Sequence, residues 1–414
     1  MPRRMSATRH AVAVVGLGAM GAATLYQLAR RGVPAIGIDR FHPPHTMGSS
    51  HGETRITRVA VGEGEAYVPF VRRSHEIWRE LEAATGQELL NQCGLLMMAP
   101  RGVRTGHHGK TDFLNRTATV ARTHAIPHER LEADAIAARF PAFLLDGTEE
   151  GYFEPSGGFV HPERCIAAQL HEARRLGATV LTGRTVHSME RDGAGMAVRT
   201  HDGTAVHTND GTAVHTNYGT IHADQVVVSA GAWTGAMLGA PFQPVLVPRR
   251  QVLHWLPLAD AAPFAPARCP AYIWMHGASP EDYFYGFPAL PGSNEVKVAS
   301  EQYALESDPD RLDRTVLPEE AEAMSAAHTH GRLRGAGHPS RGAVCMYTVT
   351  PDAGFVIDRH PVHDRVVVVS ACSGHGFKHS AGIGESVAQL VCEGRSRIDL
   401  APFRFGRLDA RQAA

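Results

Sequence analysis

A glycine-rich turn between two apolar runs near the N-terminus constrains the fold of this chain more than any other feature. The segment consists, in order, of an apolar run at 11–15, the motif Gly16-x-Gly18-x-x-Gly21, a stretch of helical periodicity at 19–30 and a second apolar run at 35–38 that ends at Asp39. This order predicts a βαβ unit of about 30 residues. A dinucleotide-binding domain of the Rossmann-like α/β type is therefore expected at this end of the chain.

Each glycine of the motif has a separate physical task. Gly16 permits the tight turn, Gly18 lets the backbone approach a pyrophosphate, and Gly21 lets helix and strand pack closely. The N-terminus of the helix then faces the phosphates. Asp39 lies 18 residues after Gly21, which suits an acid that binds ribose hydroxyls, whereas Arg40 would suggest a 2′-phosphate. The motif predicts a nucleotide but not which one, and a glycine turn in an unrelated α/β protein is the alternative.

Bulk composition excludes several classes of protein. A chain of 414 residues exceeds one ordinary core, so two domains are expected. The formal net charge of −1 gives no electrostatic footprint for nucleic acid, and the apolar runs are too short to span a membrane. The six cysteines show no paired spacing, which favours reduced thiols and a cytoplasmic enzyme.

The order of the predicted elements indicates a discontinuous domain with an insertion. Strand-like stretches at 250–257, 271–276, 283–287 and 295–299 predict an antiparallel sheet unlike the opening unit. The fold class is therefore α/β, a Rossmann-like domain with an inserted antiparallel-sheet domain of α+β type. We assign 1–90, 151–235 and 335–414 to the first domain and 91–150 with 236–334 to the second. Residues 307–330 are charged and predicted to be helical.

A tandem duplication stands in the middle of the chain. The segment 202–209, Asp-Gly-Thr-Ala-Val-His-Thr-Asn, is repeated at 210–217. Asp-Gly between β-formers predicts a surface hairpin that the second copy lengthens. Its histidines, His201, His207 and His215, alternate as on a solvated hairpin, so no metal site is expected.

Past Asp39 the chain strongly resembles the monomeric sarcosine oxidase and N-methyltryptophan oxidase family. The matching segments follow the family's order over nearly the whole chain: 41–58, 62–69, Ala230–Trp233, Phe284–Pro288, Cys345–Thr348, Thr350–Asp352, Phe355–Pro361 and Ser373–Lys378. The resemblance implies FAD and not NAD, with an amine-oxidising flavin site.

The resemblance also implies which residues hold the cofactor. In the family, the cysteine that corresponds to Cys345 is joined to the 8α-methyl group of the flavin. The alternative for Cys345 is a small buried hydrophobic residue, and Cys372 and Cys392 are expected in the core. Besides Cys345, the implied contacts are Gly16, Gly18, Gly21, Asp39, Arg40, Ser49, Thr54, Arg55, Gly231, Trp233, Gly374, Gly376 and Lys378.

Seven positions carry the implied chemistry of the substrate, of oxygen and of the flavin's surroundings. Arg58 and Lys378 resemble the pair that grips the substrate carboxylate, as two cations converging on one anion should. Lys297 aligns with the lysine credited with activating O₂, although an exposed sheet lysine is the alternative. His51 and Arg55 belong to the flavin's surroundings. Two tyrosines are implied to line the substrate pocket, with ordinary packing as the alternative: Tyr285 and Tyr347.

One position departs from the family. Sarcosine oxidases carry a histidine four residues after the oxygen-activating lysine, and Glu301 stands there in this chain. An acid in place of an imidazole would change how the amine is received, so the substrate stays open. Trp255, Trp274 and Met275 are expected to shape a roomy side-chain pocket.

The resemblance implies an FAD-dependent oxidase of secondary, N-methyl amino acids. Hydride transfer to flavin N5, hydrolysis of the imine and reduction of O₂ to hydrogen peroxide are the implied steps. The expected partners are a small amino acid substrate and O₂, and the expected state is a monomer. Two alternatives are a flavin-dependent dehydrogenase that passes electrons to another acceptor and a non-catalytic flavin-binding module.

Overall fold

The computed structural model describes residues 9–193, 195–201 and 220–408. The duplicated segment at 202–217 lies outside these residues. The strands of the described part are β1 (Arg9–Val15), β2 (Ala35–Ile38), β3 (Arg55–Thr57), β4 (Leu90–Asn91), β5 (Leu95–Pro100), β6 (Glu129–Glu132), β7 (Glu149–Glu154), β8 (Gly158–Val160), β9 (Thr179–Leu181), β10 (Thr185–Asp192), β11 (Gly195–His201), β12 (Thr220–Val228), β13 (Val247–Pro257), β14 (Ala271–Met275), β15 (Tyr283–Gly286), β16 (Glu295–Ala299), β17 (Arg341–Val349), β18 (Val356–Arg359) and β19 (Val366–Ser370).

The α-helices lie between these strands, and turn residues set several of their ends. They are α1 (Ala19–Arg30), α2 (Val68–Thr85), α3 (Phe113–Thr123), α4 (Ala133–Arg139), α5 (Pro162–Arg175), α6 (Thr234–Leu238), α7 (Pro318–Ala323) and α8 (Ser380–Glu393). Pro69 stands in the first turn of α2, and Gly86 ends that helix at a φ of +68°, as proline and glycine commonly do. No described helix has both the length and the apolar character needed to cross a membrane.

The first sheet contains the predicted βαβ unit. Its order is β10-β11-β12-β1-β2-β9, with β19 beside β12 and β18 beside β19. The pairs of β1 with β2 and with β12, and of β12 with β19, are parallel. The buried run Val366–Val369 in β19 fits a strand covered on both faces. Helices α1, α5 and α8 pack together beside this sheet, so the glycine turn is held on a rigid layer.

Close packing of α1 against α8 depends on one glycine. A side-chain carbon at Gly384 would lie 2.4 Å from the Cβ of Ala23. Because two helices approach this closely only over small residues, Gly384 fixes the position of α1 and therefore of the turn at its N-terminus.

The second sheet has the order β17-β13-β16-β15-β14-β5-β7-β6, antiparallel except between β14 and β5. Its strands include the four stretches for which the sequence predicts an antiparallel sheet. The edge strand β17 falls inside 335–414, which we assigned to the first domain, yet it pairs with β13 along nine residues. The domain boundaries stay a prediction. The strands β3, β8 and β4 form a small third sheet, in the order β3-β8-β4, which shares no strand pairing with the other two.

The predicted helix over 307–330 is mostly wrong. Only Pro318–Ala323 is α-helical, and a π-helical turn, Met324–Thr329, follows it. The part before Pro318 is irregular, and its side chains bind the first domain. Arg314 donates hydrogen bonds to the carbonyl oxygens of Thr46 and Met47, at 3.0 and 2.6 Å. These long-range contacts outweigh the local helical preference.

The expected roomy pocket around Trp274 and Met275 is also wrong, because both side chains are buried in hydrophobic cores. Trp274 stacks on Phe284, with ring centroids 5.9 Å apart. Trp255 is buried as well, and its indole N–H donates to Glu53 at 2.9 Å. These residues stabilise the second sheet.

Candidate active site

A cavity of about 370 Å³ opens at the carboxyl ends of the parallel strands of the first sheet. Ligands of open α/β sheets bind at this edge. The predicted cofactor contacts that line the cavity are Gly16, Gly18, Asp39, Arg40, Ser49, Arg55, Gly231, Trp233, Gly374 and Gly376. Gly21, Thr54, Cys345 and Lys378 are not among the residues that line it. The structure thus brings the two ends of the chain to one cavity.

The glycine turn has the geometry that a phosphate cradle requires. Gly16 has a φ of +86°, and a Cβ on it would lie 2.6 Å from the carbonyl oxygen of Ser229. A Cβ on Gly21 would lie 1.7 Å from the carbonyl oxygen of Gly16. Gly18 faces open space, with nothing within 4 Å of its would-be Cβ. The residues present therefore fit a pyrophosphate at the N-terminus of α1.

Replacing Gly21 by alanine should destroy this turn. The methyl group would overlap the Gly16 carbonyl, so we expect a loss of stability beyond the roughly 1–3 kcal/mol that overpacking usually costs, together with loss of bound flavin. The ratio of flavin to protein absorbance and the Tm measure both effects. Gly18→Ala is the matched control: it should fold normally and lose only flavin. A G21A protein with the Tm and flavin content of the wild type would contradict this geometry.

Asp39 is held at the end of β2 by the backbone. Its two carboxylate oxygens accept hydrogen bonds from the N–H groups of Leu17 and Phe41, both at 2.7 Å. An ionised carboxylate has further acceptor sites, so donors such as ribose hydroxyls can still bind it. Arg40 instead pairs with Asp310. That contact ties the irregular segment before α7 to the rim of the cavity.

Arg55 is fixed by backbone carbonyls that flank it. Its guanidinium donates to the carbonyl oxygens of Thr54, at 2.8 Å, and Ser49, at 2.7 Å. Nearby His51 is buried, and burial together with Arg55 lowers the pKa of His51 to about 3. The ring is therefore neutral. Three buried polar atoms here have no partner among the described residues, as expected where a polar ligand binds: His51 Nε2, Thr54 Oγ1 and Thr348 Oγ1.

Lys297 is not an exposed sheet lysine, because only 4% of the residue is accessible. It lies on β16, and its Nζ donates to the carbonyl oxygens of Gly52 and Thr54 at 2.7 and 2.5 Å. The Nζ atom also lies 4.3 Å from the centre of the Phe287 ring. Burial, and then Arg55, lower the pKa of Lys297 well below its ordinary value. The amine of Lys297 is therefore buried, and it shares the carbonyl oxygen of Thr54 with the guanidinium of Arg55.

Cys345 lies on β17 in a small apolar cluster with Leu253, Trp255 and Ala299. Burial raises the pKa of its thiol, whereas the nearby cations Arg55 and Lys297 oppose that rise. The two nearby cations distinguish Cys345 from a cysteine that serves only as a small buried hydrophobic residue.

Tyr347 follows Cys345 by two residues, so both side chains leave the same face of β17. Tyr347 lines the cavity, and its hydroxyl lies 3.4 Å from that of Tyr285. Cys372 also lines the cavity, and Cys392 is exposed. The prediction that both of these cysteines belong to the core is therefore wrong. Cys372 lies two residues beyond the end of β19, and Cys392 lies in the last turn of α8.

Arg58 and Lys378 converge on a carboxylate of the chain itself. Arg58 Nη2 donates to both oxygens of Glu63, at 3.0 and 2.9 Å, and all of these side chains are buried. Lys378 Nζ lies 4.0 Å from Glu63 and donates to the carbonyl oxygen of His375 at 2.7 Å. Burial lowers the pKa of Lys378 to about 7, although Glu63 opposes the shift. Two cations thus meet one anion among buried side chains.

Glu301 is buried and accepts hydrogen bonds from three side chains. His108 Nε2 lies 2.8 Å from one of its oxygens. The hydroxyls of Tyr283 and Tyr303 donate to the carboxylate at 2.5 and 2.6 Å. The other ring nitrogen of His108, Nδ1, lies 3.0 Å from Glu63. Glu301 is therefore joined through His108 to the cluster of Arg58 and Lys378.

Ligand atoms of Glu63, His107 and His108 all lie within 4.8 Å of one another, as in a metal site. Arg58 donates to both oxygens of that carboxylate, and Lys378 lies beside it. A divalent cation would be repelled by these two charges. The absence of a metal therefore stays our prediction for this cluster.

Glu63 and His108 are functional candidates that the motifs did not single out. Glu63 stands in the segment that resembles the family. It follows Arg58 by five residues, and this short spacing is the one feature of the sequence that could have suggested an ion pair between them. His108 stands in a loop of glycine and histidine, 193 residues before Glu301. No local pattern links residues so far apart.

A family model and curated relatives match nearly the whole chain. A family model described as FAD dependent oxidoreductase matches residues 11–390. Monomeric sarcosine oxidase of Bacillus sp. (strain NS-129) is 36% identical over 404 residues, which cover 97% of each chain. N-methyl-L-tryptophan oxidase of Salmonella arizonae is 33% identical over 398 residues, which cover 95% of this chain and 98% of the relative.

The fold is also similar to that of solved structures. NikD, an unusual amino acid oxidase essential for nikkomycin biosynthesis, superposes in its open form with a TM-score of 0.79. The sequence identity is 22%, and the match covers 96% of this chain and 97% of that one. At this identity the likeness concerns the fold alone, and it confirms the predicted architecture.

Proposed function

This chain belongs to the family of FAD-dependent oxidoreductases, as an enzyme of the sarcosine oxidase and N-methyl amino acid oxidase type, and on that premise we propose that it oxidises secondary, N-methyl amino acids with O₂ as the acceptor. The observation that carries this proposal is the buried meeting of Arg58 and Lys378 at Glu63, which His108 joins to the cavity wall at Gly374. A small carboxylate is the ligand that such a pair recognises.

The cavity on the first sheet is the proposed FAD site. The glycine turn would hold the pyrophosphate and Asp39 the ribose, while the unpartnered atoms near Arg55 would meet the polar edge of the ring system. FAD held here would supply a two-electron acceptor for the hydride of the carbon beside the amine nitrogen, with O₂ as the final acceptor of the electrons. The imine product is hydrolysed in water.

The substrate carboxylate would bind Arg58 and Lys378. Both side chains are buried, so their bonds to an anion are not weakened by water. The substrate carboxylate has to compete with the carboxylate of Glu63, which pairs with Arg58 in the structure. Anion binding favours the protonated form of Lys378, whose pKa of about 7 leaves it half-charged at neutral pH. Substrate binding should therefore weaken as the pH rises above that value.

Two residues are proposed to serve the flavin, and two tyrosines are proposed to border the substrate. Cys345 would carry the covalent bond, because Arg55 and Lys297 favour its thiolate. Lys297 would place positive charge where O₂ is reduced. The hydroxyls of Tyr285 and Tyr347 would border the substrate. We also propose a monomeric, cytoplasmic enzyme, the first in line with the name of the sarcosine oxidase relatives.

A peroxide-coupled screen of N-methylated and cyclic amino acids with the purified protein tests this function. The expected result is hydrogen peroxide and anaerobic bleaching of the flavin with at least one N-methyl amino acid. Bleaching without peroxide in air would favour the dehydrogenase alternative. If no amine bleaches the flavin, the remaining alternative is a non-catalytic flavin-binding module.

Arg58→Lys should separate carboxylate recognition from chemistry. A lysine keeps the charge but loses the two-point contact, and hydrogen bonds to charged groups contribute about 1.5–3 kcal/mol. We therefore expect KM for the best substrate to rise roughly 10–100-fold with little change in kcat. Arg72→Lys is the matched control, because Arg72 contacts only the carbonyl of His124 at the surface among the hydrogen bonds described. An unchanged KM in R58K would rule out Arg58 as the carboxylate ligand.

A further inference from the structure

We propose that His108 is the cation that holds Glu63 when Arg58 turns to the substrate, and that Glu301 positions His108 for this task. The inference rests on the proposed function, because it requires Arg58 to bind the substrate carboxylate. His108 would thus be a positioning residue: it touches neither substrate nor flavin but decides whether Arg58 can be released.

The conflict arises at Glu63. Arg58 donates to both oxygens of this buried carboxylate, so a substrate that takes Arg58 removes its main partner. A buried charge that loses its partner is strongly destabilising. Lys378 lies 4.0 Å away and is itself proposed to bind the substrate. Another cation must therefore stay with Glu63 in the complex.

His108 has the contacts of that cation. Its Nδ1 lies 3.0 Å from Glu63 Oε1, and its Nε2 lies 2.8 Å from Glu301 Oε2. An imidazole donates from both nitrogens only when it is doubly protonated. The ring is buried between two carboxylates, so it remains charged, and the pKa of His108 is raised to about 9 by Glu301 and Glu63 despite the opposing effect of burial.

The cluster has one net positive charge when Lys378 is protonated. The charged groups are the cations Arg58, Lys378 and His108 and the anions Glu63 and Glu301. Two further titratable rings face His108, His107 at 3.8 Å and His375 at 5.0 Å between centroids, and burial keeps both neutral by lowering the pKa of each. One substrate carboxylate neutralises the cluster. Without His108 the same substrate would leave an excess negative charge, so the site is matched to monocarboxylates.

Both members of the pair are rigidly held. The backbones of His107 and Lys110 exchange two hydrogen bonds of 2.9 Å, and the residues between them, His108 and Gly109, have φ of +49° and +68°. Two successive left-handed residues make a tight turn of the hairpin type, whose tip presents the ring inward. The tyrosine hydroxyls fix Glu301 from the other side.

The pair also touches the wall of the cofactor cavity. A Cβ on Gly374 would lie 2.7 Å from Glu301 Oε1 and 3.0 Å from His108 Nε2. Gly374 itself lines the cavity. Because Gly374 has no side chain, nothing of that residue separates the pair from the cofactor cavity, and a change of charge at the pair acts on the cavity directly.

The test compares His108→Asn with the wild type, using methoxyacetate as an unreactive carboxylate whose binding is followed by flavin absorbance. Asparagine keeps one contact to Glu63 but has no charge. We expect Kd to rise at least about 30-fold, the lower range for truncating one partner of a buried charge pair, with kcat at saturating substrate retained. Lys110→Gln is the matched control, because it removes a charge from the same turn, and it should bind methoxyacetate like the wild type.

A double variant separates this role from a purely structural one. If His108 acts by holding the charge of Glu63, then Glu63→Gln in the H108N background should recover most of the lost affinity. Glu301→Gln gives a second readout when it is made both in the wild type and in H108N. Glu301 also raises the pKa of Lys378, so a shift to lower pH that acts through Lys378 should appear in both backgrounds, whereas the additional shift that acts through the imidazolium should appear only where His108 is present.

The outcomes distinguish this inference from the proposed function. A wild type that methoxyacetate does not perturb would overturn the carboxylate site itself. Equal binding by the wild type and by folded, flavin-loaded H108N would overturn the role of His108 alone. A defect of H108N that E63Q leaves undiminished would do the same. Should H108N fail to fold, an E301Q pH profile identical to that of the wild type would decide against it.

Discussion

Cys345→Ser is expected to give a protein whose flavin is released completely by acid, whereas the wild type precipitates yellow. A thiolate is the required nucleophile, and a serine hydroxyl cannot replace it. Burial raises the pKa of the Cys345 thiol, and the cations Arg55, Lys297 and Arg314 limit that rise, so these side chains are the ones that favour the thiolate that attachment requires. The absorbance of the pellet and of the supernatant measures it, together with the mass of the intact chain.

Cys372→Ser is the matched control, since Cys372 is a second thiol at the cavity. It should keep its yellow pellet. The reverse pattern, a coloured C345S pellet and a colourless C372S pellet, would move the attachment to Cys372. A wild type that precipitates without colour would show that the flavin is not covalently bound.

Lys297→Met should slow reoxidation of the reduced enzyme by O₂ on the order of 10²–10³-fold, the size of effect found when one stabilising charge or donor is removed. Methionine fills the same volume without the charge that favours superoxide. Anaerobic bleaching by substrate should stay within a few-fold of the wild type. Stopped-flow absorbance measures the two half-reactions separately.

The pH dependence provides a second readout for the same variant. Because burial and Arg55 lower the pKa of Lys297, its charge is lost as the pH rises through that lowered value. Reoxidation of the wild type should therefore slow with rising pH, and that of K297M should be flat. Lys297→Arg, which keeps a positive charge, should recover part of the rate. If K297M leaves both half-reactions untouched, Lys297 is not the oxygen site.

The fold could be predicted where the pattern is local. The order of strand, glycine turn and helix at 11–30 is set by neighbouring residues, and the structure has β1 and α1 there. The antiparallel stretches of the second sheet were predicted for the same reason. The segment at 307–317 was not, because Asp310 and Arg314 bind the distant first domain and keep the chain irregular.

The site could be predicted only in part for the same physical reason. Motifs identified Arg58, Lys378 and Glu301 one by one, each from its own neighbours. The charges that pair with them are set by tertiary contacts: Glu301 meets His108 across 193 residues. A sequence shows which ionisable groups exist, whereas only packing shows which of them share a buried cluster.

The place of β17 has a consequence for the molecule as a whole. The cysteine on this strand belongs to the second sheet, whereas the glycine turn belongs to the first. A thioether at Cys345 would therefore hold one end of the cofactor on the second sheet while the first sheet binds the other end, so the cofactor would stabilise only the folded arrangement of the two layers. Heat should then unfold both layers in one cooperative transition. In Cys345→Ser, which lacks the thioether, the two layers should unfold in separate transitions.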